Sequence, residues 1–120
     1  MNHQMKLKEE PFENIKAGKK QIEFRLYDEK RKKLQLGDTI EFRKLPDLQE
    51  TLTVEITGLL HYNSFAELFS DLREDLISYS NKSKEELVKS MHRYYTEEEE
   101  REKGVLGIRI KLRNREDIHE

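Results

Sequence analysis

Apolar side chains recur at every second position in four stretches of the chain, and this period predicts β-strands with one buried face. Those stretches are Gln21–Tyr27, Thr39–Lys44, Thr51–Leu60 and Val105–Arg113, and His3–Lys8 is added as a short first strand. We expect the first two of the four to pair as a broad hairpin. Gly58 predicts a bend in the third, which suits a barrel.

Helix signals separate these strands. An acidic turn followed by proline at 9–11 predicts the start of a short helix that ends at Gly18. From residue 63 to 104 the apolar period becomes helical, and Ser64, Ser83 and Thr96 stand at helix-starting positions ahead of glutamates. The pattern predicts an α+β, mainly β, fold: a mostly antiparallel β-barrel with flanking helices. We expect one domain over 1–120, a single core, and a frayed tail at 114–120.

The composition of the chain excludes several classes of function. The 120 residues include no cysteine, which excludes disulfides and thiolate chemistry, and the net charge of −2 gives no general affinity for nucleic acids. The four histidines show no metal-binding spacing, so neither a metal nor a cofactor is expected. The first residues lack an apolar signal region and no run reaches membrane-spanning length, so we expect a cytoplasmic protein that binds no membrane.

The polar face of the Gln21–Tyr27 stretch carries the candidate chemistry. Glu23 and Arg25 are two residues apart and therefore share a face, and Lys20 leads into it. Arg25 is suited to two-point contacts with a phosphate or carboxylate, while Glu23 is suited to accepting a hydrogen bond or, with a raised pKa, to general-base catalysis. Lys20 would supply a charge or a nucleophilic amine. The alternative is a row of surface ion pairs worth about 0–1 kcal/mol each.

Aromatic and basic side chains extend this hypothesis. Tyr27, Tyr62, Tyr94 and Tyr95 are candidates for stacking on a base, against the alternative of half-buried core tyrosines. The last two are adjacent on the predicted helix and point about 100° apart, so they cannot both face the core and one of them is the better cleft candidate. Basic residues also cluster at 30–33 and again at 109–115, which would bind a phosphate backbone if both clusters faced one groove.

The spacing Gly-x-Lys-x-x-Glu-x-Arg, from Gly18 to Arg25, is followed about ten residues later by Leu-Gly-Asp. With its apolar frame this pattern resembles the ASCH domain, a PUA-like β-barrel family. Later residues also resemble a branch of small stand-alone bacterial and archaeal members, namely Ser64-Phe65, Tyr94-Tyr95, Glu97–Glu100 and Gly104–Ile108. The resemblance implies a PUA-like barrel with helices beside a cleft.

For function, the resemblance implies a ligand that is RNA, a nucleotide or a modified nucleoside. One related branch hydrolyses acetylcytidine with a lysine, a threonine and a glutamate. Lys20 falls at the position of that lysine, but Glu23 stands where those enzymes carry threonine. The leading hypothesis is therefore an RNA- or nucleotide-binding cleft centred on Lys20, Glu23 and Arg25. The alternatives are a small hydrolase, either an amidohydrolase or a ribonuclease, that uses Lys20 and Glu23, and a protein-interaction module.

Overall fold

The computed structural model describes residues 1–113, so the predicted tail at 114–120 lies outside the described residues. Five strands form one sheet: β1 (Asn2–Leu7), β2 (Ile22–Leu26), β3 (Thr39–Lys44), β4 (Thr51–Tyr62) and β5 (Val105–Leu112). The helices are α1 (Glu9–Lys16), α2 (Phe65–Asp71), α3 (Glu74–Ile77), α4 (Lys84–Met91) and α5 (Glu97–Lys103). The predicted α+β fold is confirmed as a curled half-barrel with flanking helices.

The strand order is β1-β3-β4-β5-β2, with β1 and β3 parallel and the other three pairs antiparallel. The expected hairpin between β2 and β3 is wrong, because β2 pairs with β5 at one edge of the sheet. The alternation of side chains fixes which residues share a face but not which strand lies alongside. As a result β1 and β2 are the two edge strands.

The predicted bend in β4 is confirmed. Its pairing register with β5 shifts between Ile56 and Gly58, which is a β-bulge. An added Cβ atom at Gly58 would lie 3.1 Å from the Cδ atom of Arg109, a tight contact that the Arg109 side chain would have to relieve. The bulge bends the longest strand and helps the sheet to curl.

The apolar side chains form two buried clusters, whereas a single core is expected from the sequence. One cluster packs β1, β3 and β4 against α1. The other joins the apolar side chains of β2 to those of α2 and α4. Strand β5 contributes to both, since Val105 belongs to the second cluster and Leu106 to the first. The first half of β5, residues 105–108, is thus buried on both faces, whereas the half-polar second half exposes Arg109 and Lys111.

The helix-starting signals correspond to real caps. Ser64 Oγ accepts the N–H of Glu67, and Ser83 and Thr96 each form a complete capping box. Helix α4 ends at Met91, so Tyr94 and Tyr95 lie in the turn that follows and not on the helix where they were expected. None of the helices within residues 1–113 has the length and apolar character needed to cross a bilayer.

Candidate functional site

Lys20, Glu23 and Arg25 form one contiguous group of charges, which we call the ion cluster. One oxygen of Glu23, Oε1, lies 2.9 Å from the Lys20 ammonium and accepts the backbone N–H of Phe24 at 3.0 Å. The other, Oε2, accepts two hydrogen bonds from the Arg25 guanidinium, at 2.9 and 3.2 Å. The carboxylate is therefore shared between two cations.

The end of α1 places Lys20. Gly18 adopts a left-handed conformation with φ of 77°, and the backbone N–H groups of Lys19 and Lys20 both donate to the carbonyl of Asn14. This turn closes the helix and directs the chain into β2, where Glu23 and Arg25 share one face. This confirms the helix-ending role predicted for Gly18. Because the turn leads directly into β2, Gly18 and Glu23 are close in the sequence.

Burial makes the ion cluster different from a row of surface ion pairs. The side chains of Lys20 and Glu23 are 8% and 6% exposed. Burial would raise the pKa of Glu23, but the adjacent cations Lys20 and Arg25 lower it to about 2. Burial would likewise lower the pKa of Lys20 and of Arg25, and in both residues the Glu23 carboxylate outweighs it, so both pKa values are raised. All three groups are held in their charged forms at neutral pH.

These protonation states bear on the candidate chemistry. A general base works best with a pKa near the working pH, and a nucleophilic lysine needs a lowered pKa. The pKa of Glu23 moves away from that range and the pKa of Lys20 rises. The ion cluster is thus suited to presenting fixed charges and hydrogen-bonding groups to a ligand.

Glu23 and Arg25 could either line a concave wall or lie on a flat exposed face. Both side chains line a cavity of about 420 Å³, which we call the tyrosine cavity. It lies between the edge strands β1 and β2 and the turn that follows α4, and its wall includes Lys20, Tyr94 and Tyr95. Arg25 also bridges the two edge strands, because its Nη2 atom donates to the backbone carbonyl of Lys6 at 3.0 Å.

The two tyrosines of this cavity are held differently. Tyr95 stacks on Phe65 with ring centroids 5.9 Å apart, and its phenol is one of the groups that raise the pKa of Arg25. Tyr94 is 56% exposed, and the Lys8 ammonium lies 4.8 Å from its ring centroid. Tyr95 is thus a fixed part of the wall, whereas Tyr94 stands at the rim.

Tyr27 and Tyr62, the other two predicted binding residues, are not brought to the tyrosine cavity. Tyr27 stacks on His61 with centroids 4.1 Å apart, and the Tyr62 hydroxyl donates to Asp71 at 2.8 Å. Tyr79, by contrast, lies beside the ion cluster, with the Lys20 ammonium 5.9 Å from its ring centroid. It stands in a short polar loop between helices, and no spacing or period in the sequence distinguishes it.

The two basic clusters face different depressions. Lys30 and Arg31 border one beside β1, while Arg109 and Lys111 border another beside the end of α1. The single groove considered from the sequence is therefore not formed by these residues, and Arg115 lies outside the described residues. Within residues 1–113, no three histidine, aspartate or glutamate side chains are grouped closely enough to hold a metal ion.

Comparison with known families and structures agrees with this architecture. The family model for the ASCH domain matches residues 5–114. The crystal structure of hypothetical protein PH0355 is 41% identical with a TM-score of 0.83, over 94% of this chain and 100% of that one. The solution structure of PF0455 from Pyrococcus furiosus is 37% identical with a TM-score of 0.71, over 93% and 97%.

A more distant structure shows the fold alone. ASCH from Zymomonas mobilis is 12% identical, with a TM-score of 0.52 over 98% of this chain and 76% of that one. No curated protein matches the chain. Because the family model spans nearly all of the sequence, the chain belongs to the ASCH domain family.

Proposed function

We propose that the protein binds an RNA segment or a nucleotide-like ligand in the tyrosine cavity. The observation that carries this proposal is the position of the ion cluster: three charged groups, almost withdrawn from water, stand in the wall of a cavity bordered by two tyrosines. Buried ion pairs are weak contributors to stability, since the desolvation of each charge offsets most of their attraction. A ligand-binding role accounts for keeping them beside an opening.

The chemistry of the wall suits a nucleobase and its sugar-phosphate. An ionised carboxylate accepts hydrogen bonds from exocyclic amino groups, and a guanidinium donates to carbonyl oxygens or phosphates. Aromatic rings stack on unpaired bases, which is the usual mode by which proteins recognise single-stranded RNA. Arg25 and Tyr94 supply the donor and the ring, whereas the oxygens of Glu23 already accept from Lys20, Phe24 and Arg25 and hold the guanidinium in place.

The hydrolase alternative receives less support. Lys20 has a raised pKa and is held in the protonated form, which is not nucleophilic, while Glu23 is ionised but only weakly basic because its pKa is lowered. Glu23 also occupies the position at which the acetylcytidine hydrolases carry threonine. Binding without turnover is the function that the geometry favours.

The test is a calorimetric titration of the wild type with nucleosides, nucleotides and short single-stranded RNAs of mixed sequence. Two variants follow. Arg25→Lys keeps a cation beside Glu23 but removes the planar guanidinium that can make two parallel hydrogen bonds. Tyr94→Ala removes the exposed aromatic ring. We expect each to weaken binding by about tenfold, the loss typical of a stacking or two-point contact.

The matched control is Arg73→Lys, since Arg73 is an exposed arginine paired with Asp75 on α3 and remote from the tyrosine cavity. It should bind like the wild type. If no nucleoside, nucleotide or RNA binds the wild type, the proposal fails and the protein-interaction alternative gains. Binding that survives both Arg25→Lys and Tyr94→Ala would place the ligand somewhere else.

A further inference from the structure

A second depression, of about 380 Å³, lies on the other side of Arg25 from the tyrosine cavity. We call it the basic depression. Its polar lining consists of cationic side chains and one amide, namely Gln4, Lys6, Arg25, Lys30, Arg31 and Arg43. Among the residues the structure describes, no aspartate or glutamate lines it. A concave surface with charge of one sign concentrates ions of the opposite sign.

The carboxylates that pair with these cations do not line the basic depression. Arg43 donates to Glu41 through Nε alone, at 2.9 Å, so that within residues 1–113 neither of its terminal nitrogens has a hydrogen-bond acceptor. Lys30 donates to the backbone carbonyl of Gln4 at 2.7 Å and forms no ion pair with any described residue. Positive charge in the basic depression therefore exceeds what the chain itself neutralises.

Arg31 supplies a second, independent observation. Its Nη1 atom donates to Asp28 at 2.8 Å, but its Nε atom is buried and has no hydrogen-bond partner in the part of the chain that the structure describes. A buried donor left without an acceptor is destabilising. Because the Nε atom is buried, a ligand would meet the rest of the Arg31 side chain, which lines the basic depression and contributes its charge there.

Mutual repulsion among the cations of the basic depression also favours a bound anion. The pKa of Lys30 is lowered, first by burial and then by the charges of Arg31 and Arg25. A bound anion would compensate these neighbours. A phosphate group fits better than a carboxylate, because it carries up to two charges and offers at least three acceptor oxygens to the arginines.

Arg25 and Lys6 border both the basic depression and the tyrosine cavity. The two concavities are thus adjacent and share part of their walls. We infer that the basic depression is a phosphate-binding subsite, which receives the phosphate of a nucleotide or RNA whose base occupies the tyrosine cavity. This inference rests on the proposed function and narrows its ligand from nucleosides to phosphorylated nucleotides.

The test compares each common ribonucleoside with its 5′-monophosphate and with inorganic phosphate, by calorimetric titration at constant ionic strength. The variant is Lys30→Gln with Arg43→Gln, because both residues line the basic depression and neither lines the tyrosine cavity. The matched control is Lys33→Gln with Arg73→Gln, which removes the same charge outside both. Thermal unfolding confirms that both proteins are folded.

In the wild type we expect a monophosphate to bind at least tenfold more tightly than its nucleoside, and we expect inorganic phosphate to compete. The Lys30→Gln, Arg43→Gln variant should reduce that ratio to within about twofold of unity without weakening nucleoside binding, while the control keeps it.

A ratio that the variant leaves unchanged would overturn the subsite. A nucleoside that binds while phosphate adds nothing would also overturn it and leave the proposed function standing. If inorganic phosphate alone binds, and the variant abolishes that binding, the subsite survives and the nucleotide ligand is refuted.

Discussion

Arg25 separates two groups of charges that are arranged in opposite ways. On one side, the ion cluster is nearly sealed from water, and its carboxylate makes contacts with both of its cations. On the other, the basic depression collects cations whose counter-charges stand outside it. Buried paired charges are expensive to alter, whereas partly exposed charges cost little to remove. Changes to the ion cluster should therefore lower stability as well as binding, and changes to the basic depression should act mainly on binding.

The largest effect should come from Glu23→Gln. This change leaves two buried cations without their carboxylate, and breaking a buried pair by removing one partner typically costs about 3–5 kcal/mol. Urea unfolding of the wild type and the variant measures the loss. Glu41→Gln, which breaks the more exposed pair with Arg43, is the control and should cost less than about 1 kcal/mol. Equal losses in the two variants would remove the distinction between the groups.

Low pH should lower the free energy of unfolding of the wild type by most of the amount that Glu23→Gln loses at neutral pH. The carboxyl of Glu23 has an ordinary pKa of 4.5 and a pKa of about 2 in the fold. Its contribution to stability is complete above pH 4.5 and is lost as the pH falls toward about 2, because the unfolded chain takes up the proton first. A shift of this size corresponds to about 3 kcal/mol.

Unfolding measured across that pH range should show the free energies of wild type and Glu23→Gln converging as the pH decreases. A constant gap would mean that the charge of Glu23 is not what stabilises the fold. Lys20 and Arg25 do not interfere, because their raised pKa values lie far above this range.

A smaller effect should follow from Gly18→Ala, which acts on the turn that delivers Lys20. Gly18 has a φ of 77°, and an added Cβ atom would meet no neighbour within 4 Å, so the cost is conformational and should be about 1–2 kcal/mol. Gly18→Asn should cost less, since asparagine tolerates this region of φ. Thermal unfolding of both variants tests this ranking, and a loss in Asn as large as in Ala would contradict it.

The smallest change in stability should belong to Lys30→Gln with Arg43→Gln. Removing positive charge relieves repulsion and loses only the partly exposed Arg43–Glu41 pair and the Lys30 hydrogen bond to Gln4, so the free energy of unfolding should stay within about 1 kcal/mol of the wild type. Urea unfolding provides the measurement. A loss as large as that of Glu23→Gln would show that the basic depression is a structural element.

The sequence predicts the strands, the caps and the shared face of Glu23 and Arg25, because these depend on local period and spacing. It does not predict that β2 pairs with β5, since alternation carries no information on the neighbouring strand. Nor does it reveal the burial of the polar face, which β1, the start of α1 and the turn after α4 produce together.

The same limit affects the site. Tyr79 reaches Lys20 only through tertiary packing. Arg25→Ala, which would cost little stability on an exposed strand face, should cost considerably more in the observed fold. Arg25 is 14% exposed and holds Glu23 together with the carbonyl of Lys6. Arg25→Lys is therefore the better probe of binding.

The hydrogen bonds from Arg25 to the carbonyl of Lys6 and from Lys30 to the carbonyl of Gln4 also protect an open sheet edge. These two carbonyls lie at alternate positions of β1, on the side that a sixth strand would occupy. Unpaired edges of this kind recruit strands from other molecules and lead to aggregation. An incoming strand would have to displace two charged donors, so side chains close this half-barrel against its own copies.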